Sequence, residues 1–249
     1  MKMLMEDLEI DNIDFHHVFQ PIWNVSEEQV AGYEALIRPK GFTNPELFFR
    51  YAKEKELLYE IDMGSIFQIC QLDLKLLGSE GKLFINTFPS TLMNKSFIKH
   101  IKQIVKSTGV SPSNIVIEIS EAEKVLALNP LLNRVDQLRS MGFLIALDDV
   151  GKGETTTQSI VEIQPDIAKL DRFYAEDLSQ SNEKKLFIEQ LLKQFKNQVA
   201  FILEGVEREE DYIIGKQLGI QFIQGFFLGR PEKLEFYQKF KPMHRKTRK

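Results

Sequence analysis

Residues 143–149 read Phe143-Leu144-Ile145-Ala146-Leu147-Asp148-Asp149, a short apolar run that ends in two acidic residues. A run of this length is typical of a buried strand, and residues 131–141 before it repeat apolar side chains at the three-to-four spacing of a helix. The same alternation continues in both directions along the chain, which argues for a parallel sheet. The strand-like runs cover 18–22, 30–36, 83–85, 115–119, 143–147, 167–170, 200–203 and 221–223.

Eight such runs in 249 residues favour an α/β barrel of the (β/α)8 TIM type, although strand number alone leaves an open doubly wound sheet as the alternative. Further helix-like stretches cover 61–77 and 183–195, and Pro45 is placed to open another helix. Only residues 24–29 separate the first two runs, which is too short for a parallel crossover. We therefore expect one antiparallel strand near the N-terminus and an irregular barrel at that point.

We divide the chain into an N-terminal extension (1–14), a barrel domain (15–240) and a basic C-terminal tail (241–249).

The net charge of −4 and pI of about 5.7 argue against a partner that is polymeric nucleic acid. The single cysteine, Cys70, excludes an intrachain disulfide and is interpreted as a core residue. No stretch approaches the roughly 20 apolar residues of a membrane span, and the N-terminus is acidic where a signal peptide would be apolar. A soluble, cytoplasmic protein is expected.

Polar side chains stand at or near the end of seven of the apolar runs. In an α/β barrel these ends converge on one mouth, where active sites form. A single acid after a strand is commonly a helix cap or a turn former, but the coincidence across seven strands favours a functional site. The residues are Glu34, Asn86, Glu118, Asp148, Asp149, Lys169, Glu204 and Gln224.

The five carboxylates of this set would raise one another's pKa unless a cation compensates. The oxygen ligands, with no His or Cys among them, favour Mg²⁺ or Mn²⁺ over zinc. Six oxygen-bearing side chains suit two ions better than one, and a pair of divalent ions is a standard arrangement for cutting a phosphodiester. Lys169 could orient the attacking water or stabilise the charged transition state, and its alternative role is a buried ion-pair partner.

The segment Glu34-Ala35-Leu36-Ile37-Arg38 resembles the motif that names the EAL family of cyclic-di-GMP phosphodiesterases. Further segments resemble the family's other motifs, in the family's order, from about residue 19 to residue 231. They are Phe19-Gln20-Pro21-Ile22, Ile85-Asn86, Glu118-Ile119-Ser120-Glu121, Asp148-Asp149-Val150-Gly151-Lys152-Gly153, Pro165-Asp166-Ile167-Ala168-Lys169-Leu170-Asp171, Glu204-Gly205-Val206-Glu207 and Gln224-Gly225-Phe226. Each motif alone is weak, but the ordered set is highly specific.

The resemblance implies an irregular α/β barrel that hydrolyses cyclic-di-GMP to linear pGpG. It implies that Glu34, Lys169 and Glu204 are catalytic, with Lys169 positioning the attacking water, and that Glu121 braces the loop after Asp149. Two Mg²⁺ or Mn²⁺ ions would be bound by Glu34, Asn86, Glu118, Asp148, Asp149 and Glu204. The substrate would be bound by Gln20, Leu36, Arg38, Glu207 and Gln224. The Arg38 guanidinium would grip a substrate phosphate.

The loop at residues 150–157 departs from the family pattern. The chain reads Val-Gly-Lys-Gly-Glu-Thr-Thr-Thr where the family usually has Phe-Gly-Thr-Gly-Tyr-Ser-Ser-Leu. In the family this loop links metal binding to dimer contacts, so a homodimer and an unidentified regulatory protein are candidate partners. Two alternatives stay open, and the departure motivates the first of them. One is a catalytically weak EAL domain that acts as a cyclic-di-GMP receptor or protein-interaction module, and the other is a metal-dependent barrel enzyme for a different phosphoester.

Overall fold

The strands close into a barrel in chain order, which confirms the predicted α/β barrel. The computed structural model describes residues 14–42, 44–72, 81–120, 128–151 and 156–239. The strands are β1 (Phe15–Asn24), β2 (Gln29–Pro39), β3 (Lys82–Thr87), β4 (Ile115–Ile119), β5 (Leu144–Val150), β6 (Ile167–Leu170), β7 (Ala200–Leu203) and β8 (Phe222–Gln224). The predicted antiparallel strand is β1, which runs antiparallel to both β2 and β8, whereas all the other pairs are parallel.

Helices follow most of the strands. They are α1 (Pro45–Glu54), α2 (Leu58–Cys70), α3 (Pro89–Met93), α4 (Phe97–Thr108), α5 (Leu128–Ser140), α6 (Thr156–Ile163), α7 (Asn182–Gln194), α8 (Glu209–Leu218) and α9 (Leu234–Lys239), with 3₁₀ turns at Pro112–Asn114 and Arg172–Tyr174. Pro45 opens α1 as predicted, and the Asn44 side chain caps the helix by accepting from the Glu46 amide at 2.8 Å. The helix predicted for 61–77 ends earlier, at Cys70, and residues 73–77 lie outside the described part of the chain.

The larger hydrophobic core lies between the strands and the helices. Cys70 belongs to this core and is only 3% exposed, which confirms its interpretation as a core residue. Burial raises the pKa of the Cys70 thiol to about 12, so this thiol is inert at neutral pH. Within the described residues, none of the helices combines the length and the apolar character that a membrane crossing requires.

A second, smaller cluster fills the inside of the barrel, and we call it the apolar floor. It consists of Ile22, Phe84, Val116, Ala146, Ile167 and Ile202. On β2 the corresponding position is Gly32, where a Cβ atom would lie 2.6 Å from the Lys82 carbonyl oxygen and 3.0 Å from the Phe84 ring. The absence of a side chain at Gly32 therefore lets the Phe84 ring close the floor.

The polar side chains lie one layer above the apolar floor. Alternate residues of a strand face the same side, so the residue two positions from each floor residue also faces the inside of the barrel. On the parallel strands this residue follows the floor residue, and on the antiparallel β1 it precedes it. We call this layer the polar ring, and its members are Gln20, Glu34, Asn86, Glu118, Asp148, Lys169, Glu204 and Gln224.

One detail of the strand-end prediction is wrong. Glu34 does not stand at the end of its strand, because β2 continues to Pro39 in register with β1, where Phe15 pairs with Pro39. Glu34 reaches the ring from the middle of this long antiparallel ladder. The division into an extension, a barrel domain and a tail stays a prediction, since residues 1–13 and 240–249 lie outside the described residues.

Candidate active site

Lys169 stands at the centre of the polar ring, where it is 1% exposed. Its Nζ atom lies within ion-pair distance of four carboxylates, which come from β2, β4, β5 and the residue directly after β7. These are Glu34 at 3.3 Å, Glu118 at 2.8 Å, Asp148 at 3.1 Å and Glu204 at 2.8 Å. Burial alone would lower the pKa of Lys169, but the surrounding carboxylates raise this pKa well above its ordinary value. Lys169 is therefore a permanent ammonium at neutral pH.

Glu34 is held on both of its oxygens by side-chain amides. Asn86 Nδ2 donates to Glu34 Oε1 at 2.9 Å, and Gln224 Nε2 donates to Glu34 Oε2 at 2.7 Å. Burial would raise the pKa of Glu34, but the charge of Lys169 and the two amide hydrogen bonds outweigh it and lower this pKa. Glu34 is thus an ionised carboxylate with a fixed orientation.

One ammonium faces four carboxyl groups, so the ring cannot hold all four in the ionised form without a further cation. Burial, with a contribution from neighbouring carboxylates, raises the pKa of Glu118 well above its ordinary value and that of Glu204 to about 8. Within the described residues, the buried Glu118 Oε2 and Gln224 Oε1 atoms have no hydrogen-bond partner. Buried oxygen acceptors without partners, and carboxyl groups that outnumber the one ammonium, create affinity for hard cations.

Asp148 and Asp149 both face the mouth although they are consecutive, which a regular strand does not allow. The pairing of β5 with β6 shifts register between Leu147 and Val150. Within this bulge Asp149 adopts a left-handed backbone conformation with φ of 55°. As a result, Asp148, Asp149 and Glu204 offer carboxylate oxygens that lie within 4.8 Å of one another, a grouping that could hold one metal ion.

A cavity of about 730 Å³ opens above the polar ring. Of the residues predicted from sequence, its lining includes Gln20, Glu34, Asp149, Glu204, Glu207 and Gln224. Other lining residues had no assigned role in the sequence analysis, among them Asp171, Arg172, Arg208 and Phe226. Arg208 forms ion pairs of 2.8 Å with Asp177 and with Asp211. Its only sequence signal was its place directly after Glu207, at the end of a motif.

A second, mostly apolar groove of about 410 Å³ adjoins this cavity, and both are lined by Glu46. Leu36 and Arg38 line this groove rather than the main cavity, and the Arg38 guanidinium donates to the Ile37 carbonyl oxygen at 2.9 Å. The groove meets the polar ring at Asn86. The predicted substrate residues therefore divide between two depressions.

Two predicted residues stand apart from these contacts. Glu207 is exposed at the rim of the main cavity. Glu121 lies outside the described residues.

Comparison with known proteins identifies the family. The EAL domain model matches residues 1–231. The probable cyclic di-GMP phosphodiesterase PdeA of Escherichia coli (strain K12) is 28% identical over 90% of this chain and 31% of its own length. The cyclic di-GMP phosphodiesterase RocR of Pseudomonas aeruginosa is 25% identical over 89% of this chain and 58% of its own length. The chain thus spans between about a third and three fifths of these two relatives.

Solved structures show the same fold. The cyclic-di-GMP-bound form of a standalone EAL protein from Vibrio cholerae O395 has a TM-score of 0.79 and 26% identity, covering 90% of this chain and 94% of that one. The Klebsiella pneumoniae protein BlrP1, in a manganese and cyclic-di-GMP complex, has a TM-score of 0.79 and 25% identity, covering 89% and 57%. The barrel order, the family match and the curated relatives agree: this chain belongs to the EAL domain family, whose curated members include cyclic-di-GMP phosphodiesterases.

Proposed function

We propose that this chain hydrolyses cyclic-di-GMP to linear pGpG with the help of two Mg²⁺ or Mn²⁺ ions. The observation that carries the proposal is the buried Lys169 ammonium, in contact with four carboxylates directly beside the Asp148–Asp149–Glu204 group. Phosphodiesterase relatives and the cyclic-di-GMP complexes of similar structures support the substrate.

The polar ring suits a pair of hard divalent cations. Its ligand atoms are all oxygen, its four carboxyl groups outnumber its one ammonium, and Glu118 Oε2 is a buried acceptor without a partner among the described residues. The ions would be held by Glu34, Asn86, Glu118, Asp148, Asp149 and Glu204. Bound divalent ions lower the pKa of a water and neutralise charge on a phosphate. The manganese complex of BlrP1 supports Mn²⁺ as one of the usable ions.

Lys169 would orient the attacking water as a hydrogen-bond donor, because its raised pKa keeps it charged and prevents it from acting as a base. Glu34 on β2 and Glu204 directly after β7 both contact the Lys169 ammonium, and they would fix the same water. The water oxygen forms a bond to phosphorus while the bond from phosphorus to the 3′ oxygen breaks. The proton released from the water ends on that 3′ oxygen, which gives a free 3′ hydroxyl and the 5′ phosphate of pGpG.

A cyclic dinucleotide would occupy both depressions. Gln20, Glu207 and Gln224 line the main cavity. Leu36 and Arg38 line the adjoining groove. The Arg38 guanidinium would exchange its bond to the Ile37 carbonyl for a charge-assisted bond to a non-bridging phosphate oxygen.

The deciding experiment is incubation of the purified chain with cyclic-di-GMP, with and without Mn²⁺, followed by chromatographic identification of the product. We expect pGpG only when the metal is present. Absence of turnover at saturating substrate with either Mg²⁺ or Mn²⁺ would rule out the enzyme. Faster hydrolysis of an unrelated phosphoester would indicate a different substrate.

The second candidate function is a cyclic-di-GMP receptor or protein-interaction module with weak catalysis. The departure of residues 150–157 from the family's loop favours it. Tight cyclic-di-GMP binding without pGpG formation would support this function over the first.

We also propose that the barrel spans residues 15–240, acts in the cytoplasm, and uses the altered loop for a homodimer or a regulatory protein. Sedimentation of the chain at several concentrations tests the dimer.

A further inference from the structure

The turn that carries Asp149 is bonded to the segment that follows Lys169. The Asp171 amide donates to the Val150 carbonyl oxygen at 3.0 Å. Three residues later the Tyr174 hydroxyl donates to the Gly151 carbonyl oxygen at 3.2 Å. Two successive carbonyls after Asp149 are therefore fixed by one short segment.

The Tyr174 ring also packs directly on this turn. A Cβ atom at Gly151 would lie 2.1 Å from Tyr174 Cε2, so only glycine lets the ring approach the backbone this closely. The ring is in turn stacked on Phe187 of α7, with centroids 4.4 Å apart and planes 12° apart. Tyr174 is thus fixed between a helix on one side and the metal-site turn on the other.

The turn needs such support because its own geometry is unfavourable. Asp149 has a φ of 55°, a conformation that residues other than glycine seldom adopt. The register shift between Leu147 and Val150 also interrupts the ladder that would otherwise fix the strand end. Relaxation of Asp149 to an extended conformation would turn its carboxylate away from Asp148 and Glu204.

We propose that Tyr174 is a positioning residue, whose ring and hydroxyl hold the Asp148–Asp149 turn in the geometry that binds a divalent cation. The inference rests on the proposed function, since it assigns Asp149 to the metal site. Tyr174 itself lines neither the main cavity nor the adjoining groove. Its effect passes through Gly151 and Val150 to the backbone of Asp149.

The test is a titration of the substrate-free protein with Mn²⁺. The electron paramagnetic resonance signal of free Mn²⁺ falls as the ion binds and so reports binding. We expect Tyr174→Phe, which keeps the ring and removes the hydroxyl, to weaken Mn²⁺ binding about three- to tenfold, the effect of one lost hydrogen bond. Tyr174→Ala removes the ring as well and should weaken binding more. Hydrolysis by Tyr174→Phe at limiting Mn²⁺ should fall by the same factor and recover at saturating Mn²⁺.

Tyr59→Phe is the matched control, because the Tyr59 hydroxyl bonds to His100 Nδ1 at 2.9 Å, away from the mouth. It should leave Mn²⁺ affinity unchanged even if it lowers the unfolding temperature. Wild-type Mn²⁺ affinity in both Tyr174 variants would overturn the inference while leaving the proposed function intact. A wild-type chain that binds no Mn²⁺ would contradict the proposed function, and the inference with it.

Discussion

The apolar floor and the polar ring occupy neighbouring layers of the same strands, yet they have opposite physical roles. On β3, β4 and β6 the floor residues Phe84, Val116 and Ile167 lie two positions before ring residues that face the same interior. The floor gains free energy by removing apolar surface from water. The ring buries four carboxylates around one ammonium, an arrangement whose desolvation opposes folding.

In this barrel, stability and chemistry depend on different layers of side chains. The floor contributes stability and carries no group that could bind an ion or a phosphate. The ring carries the reactive groups and stays folded because the floor and the outer core support it. Substitutions in the two layers should therefore have different signatures, one in the free energy of unfolding and the other in turnover.

The largest effect is expected for the floor. Phe84→Ala removes a ring that is 4% exposed and leaves a cavity, so the free energy of unfolding should fall by about 3–5 kcal/mol. Urea denaturation measures this loss. Phe236→Ala is the control, because its side chain is 42% exposed and its loss should be below about 1 kcal/mol. A Phe84 variant with normal stability but no turnover would contradict the assignment of stability to the floor and of catalysis to the ring.

The next effect is on catalysis. Lys169→Met keeps the length of the side chain and removes the ammonium that orients the water, so kcat should fall about 10²- to 10³-fold, which is about 3–4 kcal/mol in the barrier. Steady-state hydrolysis of cyclic-di-GMP measures it. Lys193→Met, on the exposed surface of α7, should leave kcat unchanged. Retention of more than about a tenth of the wild-type kcat by the Lys169 variant would remove Lys169 from the mechanism.

A smaller and opposite effect on stability is expected from the ring. Glu118→Gln replaces a carboxyl whose ionisation is opposed by burial and by neighbouring carboxylates, so the metal-free protein should gain about 1–2 kcal/mol in unfolding free energy while losing Mn²⁺ affinity. Chemical denaturation in a chelator and Mn²⁺ titration measure the two changes. The exposed Glu189→Gln should change neither. Loss of stability in the Glu118 variant would mean that its ion pair with Lys169 outweighs the repulsion.

Much of this contrast could be predicted from the sequence, because strand side chains alternate. The pairs Phe84 with Asn86 and Val116 with Glu118 follow the period of two, so the same rule places both layers. Asp149 could not be placed this way, since its orientation depends on a register shift in the pairing with β6.

The groove at Leu36 and Arg38 could not be predicted from the sequence either. It depends on how α1 and α2 pack beside β2, and the sequence pattern does not encode that packing. Tyr174 was missed because its role arises from a contact across the chain with Gly151.

The smallest effect concerns a titratable group outside both layers. His17 lies on β1 beside the Phe15 and Phe19 rings, and one of its ring nitrogens, Nε2, bonds to Ser65 Oγ at 2.8 Å. Burial, with a contribution from the charge of His16, lowers the pKa of His17 from 6.5 to about 4.

Between these two pKa values the unfolded chain binds more protons at His17 than the folded chain does, so this contribution to stability is lost as pH falls. We expect a loss of about 1 kcal/mol between pH 7 and pH 5.5 from this group, after allowance for its partial exposure. Urea denaturation at the two pH values should show that His17→Gln has a smaller acid-induced loss than the wild type. An equal loss in both proteins would show that the acid sensitivity between pH 7 and pH 5.5 arises from groups other than His17.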